Sequence, residues 1–411
     1  MQTRDVVIVG GGIAGSAIAT ALAPAGLDVL VLERQVQYRD RVRGEFLQPW
    51  GVAEARRLGV EDALLGAGGG YTTGLATYGE DVDPEVAAAN AVPLDMLIPD
   101  VAGGLNVGHP QASEALSSLA AARGATSVRG VGDVEVDVRD TGRSPSVRYE
   151  LDGNVEDVQC RLVIGADGRQ STVRRNVGIG LEQVDSKATL GGMLVRADWP
   201  DGMSIFGVEG DRHFLIFPRP NGFVRIYLAR EPGPTTVGAD RAQHMLDAYA
   251  LESVPGSDRL AHAEPAGPCS YYIGSDSWTT TPTPDGVVLA GDAAGWSDPV
   301  IGEGLSIAMR DARSVADTML TSDDWSAEAF APYVEERAER MRRLRMGGYV
   351  ATELRCTFTP AARLRRAAFR DRMMADPMIL NFLIATLAGP ETAPPECFTD
   401  ANVEHILADP E

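Results

Sequence analysis

The chain has 411 residues, of which 44% are hydrophobic and 23% charged, a length and balance that suit two or three closely packed globular domains rather than one small one. Its 37 basic residues face 58 acidic ones, for a formal net charge of −21. Such a surface repels nucleic acid and anionic membrane, so neither is expected as a partner, and solubility alone accounts for the charge.

Lys187 is the only lysine, and arginine carries the rest of the positive charge. The four cysteines, Cys160, Cys269, Cys356 and Cys397, form no C-x-x-C pair, and the five histidines show no metal-ligand spacing. They read as reduced thiols in a cytoplasmic protein with no metal site.

At the N-terminus, Val6 to Val9 is a short continuous apolar run, as in a strand buried on both faces. Gly10, Gly12 and Gly15 follow as G-x-G-x-x-G, with Ile13 and Ala14 opening a helix of small and apolar residues that runs to Ala23. The first glycine allows the turn, the second lets backbone approach a pyrophosphate, and the third lets the helix pack close to the strand. Free N–H groups at the helix start favour phosphate. Val29 to Leu32 is a second strand, closed by Glu33, whose carboxylate can accept from ribose hydroxyls. The unit therefore binds a dinucleotide, although the motif alone does not separate FAD from NAD. Asp5 before the apolar segment, the glycines within it and the acid-terminated strand after it argue against a signal or membrane segment.

Further on, "WGVAEARRLG" and "QASEALSSLAAARG" read as helices, with strands between Ser127 and Leu151 and at Leu162 to Ile164. Asp167-Gly168 follows that last strand, and Ser171 with Arg174 and Arg175 suggests a capped short helix. From Ser186 to Pro284, "ATLGGMLVRADW", "HFLIFPRP" and "GFVRIYLA" alternate or run apolar between turn residues, and "RPNG" between Phe217 and Phe223 signals a hairpin. "GVVLAG" is another buried strand. It leads into "GDAAGWSDPVIGEGLSIAMRDA", an acid, a proline and a glycine-rich turn at the mouth of a helix. The C-terminal part is helical. Arg340, Arg342, Arg343 and Arg345 read as a solvated or salt-bridged face rather than a site for an anionic partner. "DPMILNFLIATLAG" is an apolar helix too short to span a membrane, expected to pack on the rest.

The glycine-rich βαβ unit, "GADG" in the middle and "GDAAGWSDPVIGEG" late, in that order, resemble the single-component flavoprotein aromatic hydroxylases, the group typified by p-hydroxybenzoate hydroxylase. The resemblance extends in organisation over roughly the first four-fifths of the chain. It implies FAD as the cofactor. Asp292 would hydrogen-bond a ribityl or ribose hydroxyl, as a carboxylate with several acceptor sites can. Pro299 and the turn Gly302-Glu303-Gly304 would lie beside the isoalloxazine ring, with the helix start directing N–H groups at its pyrimidine edge. Arg43, ahead of Arg41, matches the arginine that contacts the FAD phosphates, and Arg34 sits beside the adenosine acid. Asp167 lies in a motif given pyrophosphate contacts and part of the NAD(P)H route. Two positions depart from the family pattern. His109 stands where a glutamine or arginine touches the flavin chain, and in Leu305-Ser306 the serine replaces an asparagine, which is tolerable where only backbone binds.

The resemblance also implies an α/β architecture: a Rossmann-type FAD-binding domain from residues 1–70, 101–185 and 285–330, an inserted antiparallel β-sheet substrate domain from 71–100 and 186–284, and a helical region over 331–411. The implied reaction is monooxygenation. NAD(P)H reduces the flavin, dioxygen gives a C4a-hydroperoxyflavin, and an aromatic or polyketide-like small molecule is hydroxylated, as in antibiotic biosynthesis and other secondary metabolism. No catalytic acid or base is assigned. His213, Tyr227 and Tyr272 are placed in the insert where a base could act, and packing roles suit them as well. Substrate, NADH against NADPH, and oligomeric state stay open. Three alternatives share the fold. Geranylgeranyl reductases are echoed by "GDAAG…P…GEG" and "HFLIFPR". Flavin halogenases share the Asp-Pro step, yet their W-x-W-x-I-P stretch is absent and Lys187 lies outside their lysine position. The last is a non-catalytic FAD-binding protein.

Overall fold

The computed structural model describes residues 2–138, 144–233 and 240–410. It is a mixed α/β protein, with a Rossmann-like domain, an inserted, mainly antiparallel sheet and a helical C-terminal region.

The first sheet has seven strands, running Thr126–Arg129, Val29–Glu33, Gln2–Val9, Asn154–Gly165, Ser146–Leu151 and Val134–Asp137, with Val287–Leu289 also beside Asn154–Gly165. The central pairings are parallel. Val6, Val7 and Ile8 are wholly buried because both faces are covered. On one face, Val6, Ile8, Val29 and Val31 pack under the helices Ile13–Leu22, His109–Ala122 and Gly304–Thr321. On the other, Val7, Val9, Leu30 and Leu32 meet a second core completed by Val136, Val147 and Val173. Parallel strands thus end together at one rim, where the turns after Val9, Gly165 and Leu289 converge, the place at which open α/β sheets bind ligands.

The second sheet has eight strands, built mainly from Glu182–Arg196, Met203–Glu209, Arg212–Arg219, Phe223–Arg230 and Ser270–Trp278. All its pairings are antiparallel except that of Gly74–Gly79 with Met203–Glu209. The "RPNG" turn closes the expected hairpin, with Asn221 and Gly222 at φ 68° and 73°. Ile226, Leu228, Phe214 and Ile216 face outward onto a core with Met245, Leu246 and Tyr249. The alternate residues Tyr227 and Phe217 face a separate cluster with Val42, Phe46 and Leu94. A sheet covered on both sides explains why "HFLIFPR" and "GFVRIYLA" read as apolar runs rather than a clean alternation.

The helix Ala331–Arg355 crosses behind the first sheet, where Tyr333 donates to Leu289 O at 2.7 Å. Arg340, Arg342 and Arg343 are salt-bridged as expected, whereas Arg345 stacks over Trp278, and Arg337, Arg340 and Arg343 are buried, not solvated. The helix Pro377–Ala388 packs through Ile379, Phe382 and Ala385 and leaves Met378 and Leu380 exposed. No helix among the described residues is long and apolar enough to cross a membrane.

Candidate functional site

The N-terminal turn is built for close packing on one side and open space on the other. Gly10 adopts φ 103°, and a Cβ there would meet Ala166 O at 2.4 Å, so the position requires glycine. A Cβ on Gly15 would sit 1.9 Å from Gly10 O, which fixes the helix against the turn. Around Gly12, by contrast, a Cβ would meet nothing within 4 Å. Ile13 and Ala14 begin the helix at that open side. Glu33 is buried, with Oε2 accepting from Gly11 N at 2.8 Å and Oε1 from Gln35 N at 2.7 Å. Each oxygen keeps a lone pair for a hydroxyl donor. Arg34 is exposed beside it. Tyr38, which the sequence motif does not mark, donates to Gly11 O and lies under Arg129, 4.8 Å from the ring centroid.

The "GADG" segment sits against the same rim. Asp167 Oδ2 accepts from Thr172 N and Val173 N at 2.6 and 3.2 Å, so it caps the short helix Thr172–Asn176 together with Ser171. Its other oxygen is buried with no protein partner. Arg169, two residues on, was not marked by sequence. It reaches Asp292 Oδ2 at 3.3 Å and stacks over Trp296.

Asp292 lies in the turn Gly291–Ala294, between Arg169 and Arg43 Nη1, the latter at 3.7 Å, and its side chain is 24% exposed. Arg41 and Arg43 are both exposed, and only Arg43 meets Asp292. Behind the turn, Gly291 N donates to Asp311 Oδ2 at 2.8 Å. Arg337 donates to that same carboxylate and to the carbonyls of Gly291, Ala294 and Gly295, and Arg340 donates to Asp311 Oδ1 at 2.7 Å. Both arginines hold Asp311 below the usual carboxylate range against the opposing effect of burial. His109 opens the helix His109–Ala122 within reach of the fields of Arg43, Glu45 and Asp292. Burial first, then Arg43, pulls its imidazole down to about 4, so it is neutral at pH 7 and offers one N–H and one lone pair.

The next loop forms the floor. Asp298 caps Pro299–Ile301 through Val300 N at 2.9 Å, and Gly302 takes φ 68° at the end of that turn. Gly304 starts the helix Gly304–Thr321, and a Cβ there would meet nothing within 4 Å, so its N-terminal N–H groups face open space. Leu305 is buried, and Ser306 turns its hydroxyl away to accept from Gln48 N at 3.1 Å. That leaves only the backbone of Ser306 available to a ligand. Glu303 is fully buried. Trp50 Nε1 donates to its Oε2 at 3.0 Å, Oε1 has no protein partner, and burial raises its carboxyl well above the usual range, against the opposing hydrogen bond from Trp50.

The second sheet roofs this floor. Leu190 and Ala229 pack on Val300, and Tyr272 on the same cluster. Phe217 stacks on Phe46 at 5.3 Å and meets Tyr227 edge-on at 6.0 Å. The arm over residues 40–48 is clamped to the roof. Arg225 donates to Asp40 at 2.6 Å and Glu45 at 2.8 Å, Arg219 donates to Glu45 at 3.1 Å, and Tyr227 OH donates to Arg43 O at 2.7 Å. None of these four pairings is marked by a motif. Of the three residues placed as possible bases, His213 is buried with Nδ1 on Gly207 O, and burial pulls it down to about 3. Burial pushes Tyr227 well up and Tyr272 to about 12, with Arg169 and Arg43 offsetting the latter. None of the three is poised to take a proton at neutral pH by deprotonated phenol or basic imidazole. Asp276, whose Oδ1 accepts from Asp298 N at 2.8 Å, is pushed up to about 6 by burial and by Asp298. Lys187 is exposed and paired with Glu353.

The open positions at Gly12 and Gly304, the unpartnered oxygen of Asp167 and the half-exposed Asp292–Arg43 pair lie along one rim, a donor and acceptor set that fits an extended dinucleotide. The chain matches the FAD binding domain family over residues 3–346. It is 28% identical to digeranylgeranylglycerophospholipid reductase 2 of Methanopyrus kandleri, over 82% of each chain. It is also 28% identical to squalene monooxygenase SE1 of Panax ginseng across 77% of this chain, and the match spans 58% of that longer relative. In fold it is similar to p-nitrophenol 4-monooxygenase PnpA from Pseudomonas putida DLL-E4, with a TM-score of 0.80 at 20% identity, covering 95% of this chain and 99% of that one. The chain belongs to the FAD binding domain family, that of the flavin monooxygenases its motifs resemble, and it is an FAD-dependent oxidoreductase.

Proposed function

We propose that the protein is a monooxygenase that uses NAD(P)H and dioxygen to hydroxylate an aromatic or polyketide-like small molecule. The observation that carries this reading is the roof: Leu190 and Ala229 pack on Val300 of the floor, and Phe217 and Tyr227 on the same sheet form an apolar cluster with Val42 and Phe46 beside it, surroundings suited to keeping water from a reacting centre. When bound, FAD would supply the electron transfer and the activation of oxygen. Gly10, Gly12, Ile13, Ala14 and Gly15 would take its pyrophosphate, with Asp167 and Arg43 alongside. Glu33 and Arg34 would meet the adenosine end. Asp292 and His109 would hold the ribityl chain, His109 as a neutral donor. Pro299, Gly302, Gly304, Leu305 and Ser306 would present backbone to the ring, where the helix start favours negative charge.

A second reading, reduction of a double bond in a prenyl chain, is favoured by one observation. The archaeal lipid reductase matches this chain over four-fifths of its own length, as noted above. One experiment separates the two. The FAD-loaded protein is reduced anaerobically, mixed with candidate substrate and then with labelled dioxygen. We expect label in the product and no conversion before oxygen is admitted. Conversion under strict anaerobiosis, with no label incorporated, replaces hydroxylation by double-bond reduction.

A further inference from the structure

Arg219, Arg225, Arg310, Arg337 and Arg340 are all buried, and each meets a carboxylate. Arg355 is different. It ends the long helix Ala331–Arg355, half-buried at the surface of the chain, and the protein around it pulls its guanidinium down to about 10 by desolvation. Among the described residues no carboxylate pairs with it, and its guanidinium carbon lies over the ring of Phe206, 4.2 Å from the centroid. The helix C-terminus favours a cation there, and the five N–H donors of the guanidinium stay open to water that another acceptor could displace.

The surroundings explain what could. Phe206 lies on the inward face of the second sheet, in register with Leu215, which is itself in register with Tyr227. Two strand spacings separate Phe206, the ring under Arg355, from Tyr227 by roughly 10 Å along the roof. Phe206 and Leu215 are only half-buried although they face into the protein, whereas Phe217 and Tyr227 on the same face are buried, so the roof opens toward Arg355. The neighbouring His213 is neutral, its Nε2 is buried without a partner, and Arg366 faces it from the next helix. Cys356, the next residue, packs with Val300 of the floor, which ties this end of the roof to the site.

We propose that Arg355 receives an anionic oxygen group of the substrate, a carboxylate or its chemical equivalent, while the apolar body of the substrate lies along Phe206 and Leu215 toward Tyr227. The inference rests on the reading of the roof as a substrate chamber. It narrows the substrate class to an amphiphile with an anionic head and an apolar body. The head forms charge-assisted hydrogen bonds to a cation already stripped of part of its water, so affinity depends on its charge.

The test uses a matched pair, 2-naphthoate and its neutral amide 2-naphthamide, titrated by calorimetry into the FAD-loaded protein. We expect the carboxylate to bind at least tenfold more tightly. Arg355→Gln should bring the two within twofold while FAD content and melting temperature stay at the parent values. Arg355→Lys, which keeps the charge without the fork of donors, should retain a smaller preference, and it serves where the glutamine variant does not fold. Equal affinities in the parent, no binding of either compound, or a preference that survives in Arg355→Gln or is undiminished in Arg355→Lys would overturn the proposal. Binding is read without turnover. A result of anaerobic conversion would therefore sink the hydroxylase reading and leave the naphthoate preference standing, and the reverse outcome would do the opposite.

Discussion

Behind the Gly291–Ala294 turn, an aspartate and two arginines are packed out of water; in front of it, another aspartate and two arginines line a cleft. The rear set, Asp311 with Arg337 and Arg340, is fully enclosed, with contacts of 2.9 and 2.7 Å. The front set, Asp292 with Arg169 and Arg43, keeps water access and longer contacts of 3.3 and 3.7 Å. The same residue types therefore do two jobs. Enclosed charges hold one geometry because any other arrangement strands an ion in the interior. Half-exposed charges hold each other weakly and can exchange partners for a ligand at little cost.

The largest effect should come from breaking the rear set. Asp311→Ala leaves two buried guanidinium groups without their carboxylate, and should lower stability by about 3–5 kcal/mol in chemical denaturation. A variant that unfolds like the parent would erase the distinction between the two sides. The arginines hold the folded pKa of Asp311 below its ordinary value, so its contribution is complete above the unfolded pKa of about 4 and drains away as pH falls beneath that through the folded value.

Next comes the front. Asp292→Ala should weaken the FAD dissociation constant about ten- to a hundredfold by flavin fluorescence titration, the loss of a charge-assisted hydrogen bond. Its effect on unfolding without FAD should stay below about 1 kcal/mol. Equal FAD affinity in a folded variant would make Asp292 a structural residue like Asp311.

A third carboxylate tests the opposite sign. Asp276 is raised to about 6, so the folded protein keeps a proton that the unfolded chain has released. Stability should therefore fall as pH rises between about 4 and that value, and stay lower above it. Asp276→Asn retains an acceptor for Asp298 N and removes the penalty. It should gain about 1–2 kcal/mol at pH 8 and nothing near pH 4, read by thermal melts at both. The smallest effect belongs to Lys187, exposed in its pair with Glu353. Lys187→Met should shift stability by less than about 0.5 kcal/mol, a surface reference for the other three.

What sequence revealed was local. Gly10, Gly15 and Glu33 lie within one βαβ unit, and their roles follow from neighbours a few positions away. The hairpin at Asn221-Gly222 is equally short-range. The clamp on the arm was hidden because Arg225 and Glu45 are 180 positions apart, and no periodicity links them. Arg169 was missed for the same reason, its partner Asp292 being 123 positions away. Arg340 and its neighbours were read as a charged face, and the ion pairs are there. Their burial was not legible because the covering carboxylate, Asp311, belongs to a different helix. His109 could be placed by motif, yet its neutrality depends on enclosure that only the folded chain supplies.

The clamp behind the turn also fixes an order of events in synthesis. Arg337 follows Gly291 by 46 positions. A ribosome therefore completes the glycine turn of the first βαβ unit early and delivers the anchor of the Asp292 turn late. A nascent chain that has released residue 292 but not residue 340 holds one end of the cleft formed and the other unfastened. On the proposed placement of the flavin, its capture by the finished cleft should follow emergence of the helix Ala331–Arg355, and a chain cut before Arg337 should lose cofactor retention through a residue that lies behind the turn.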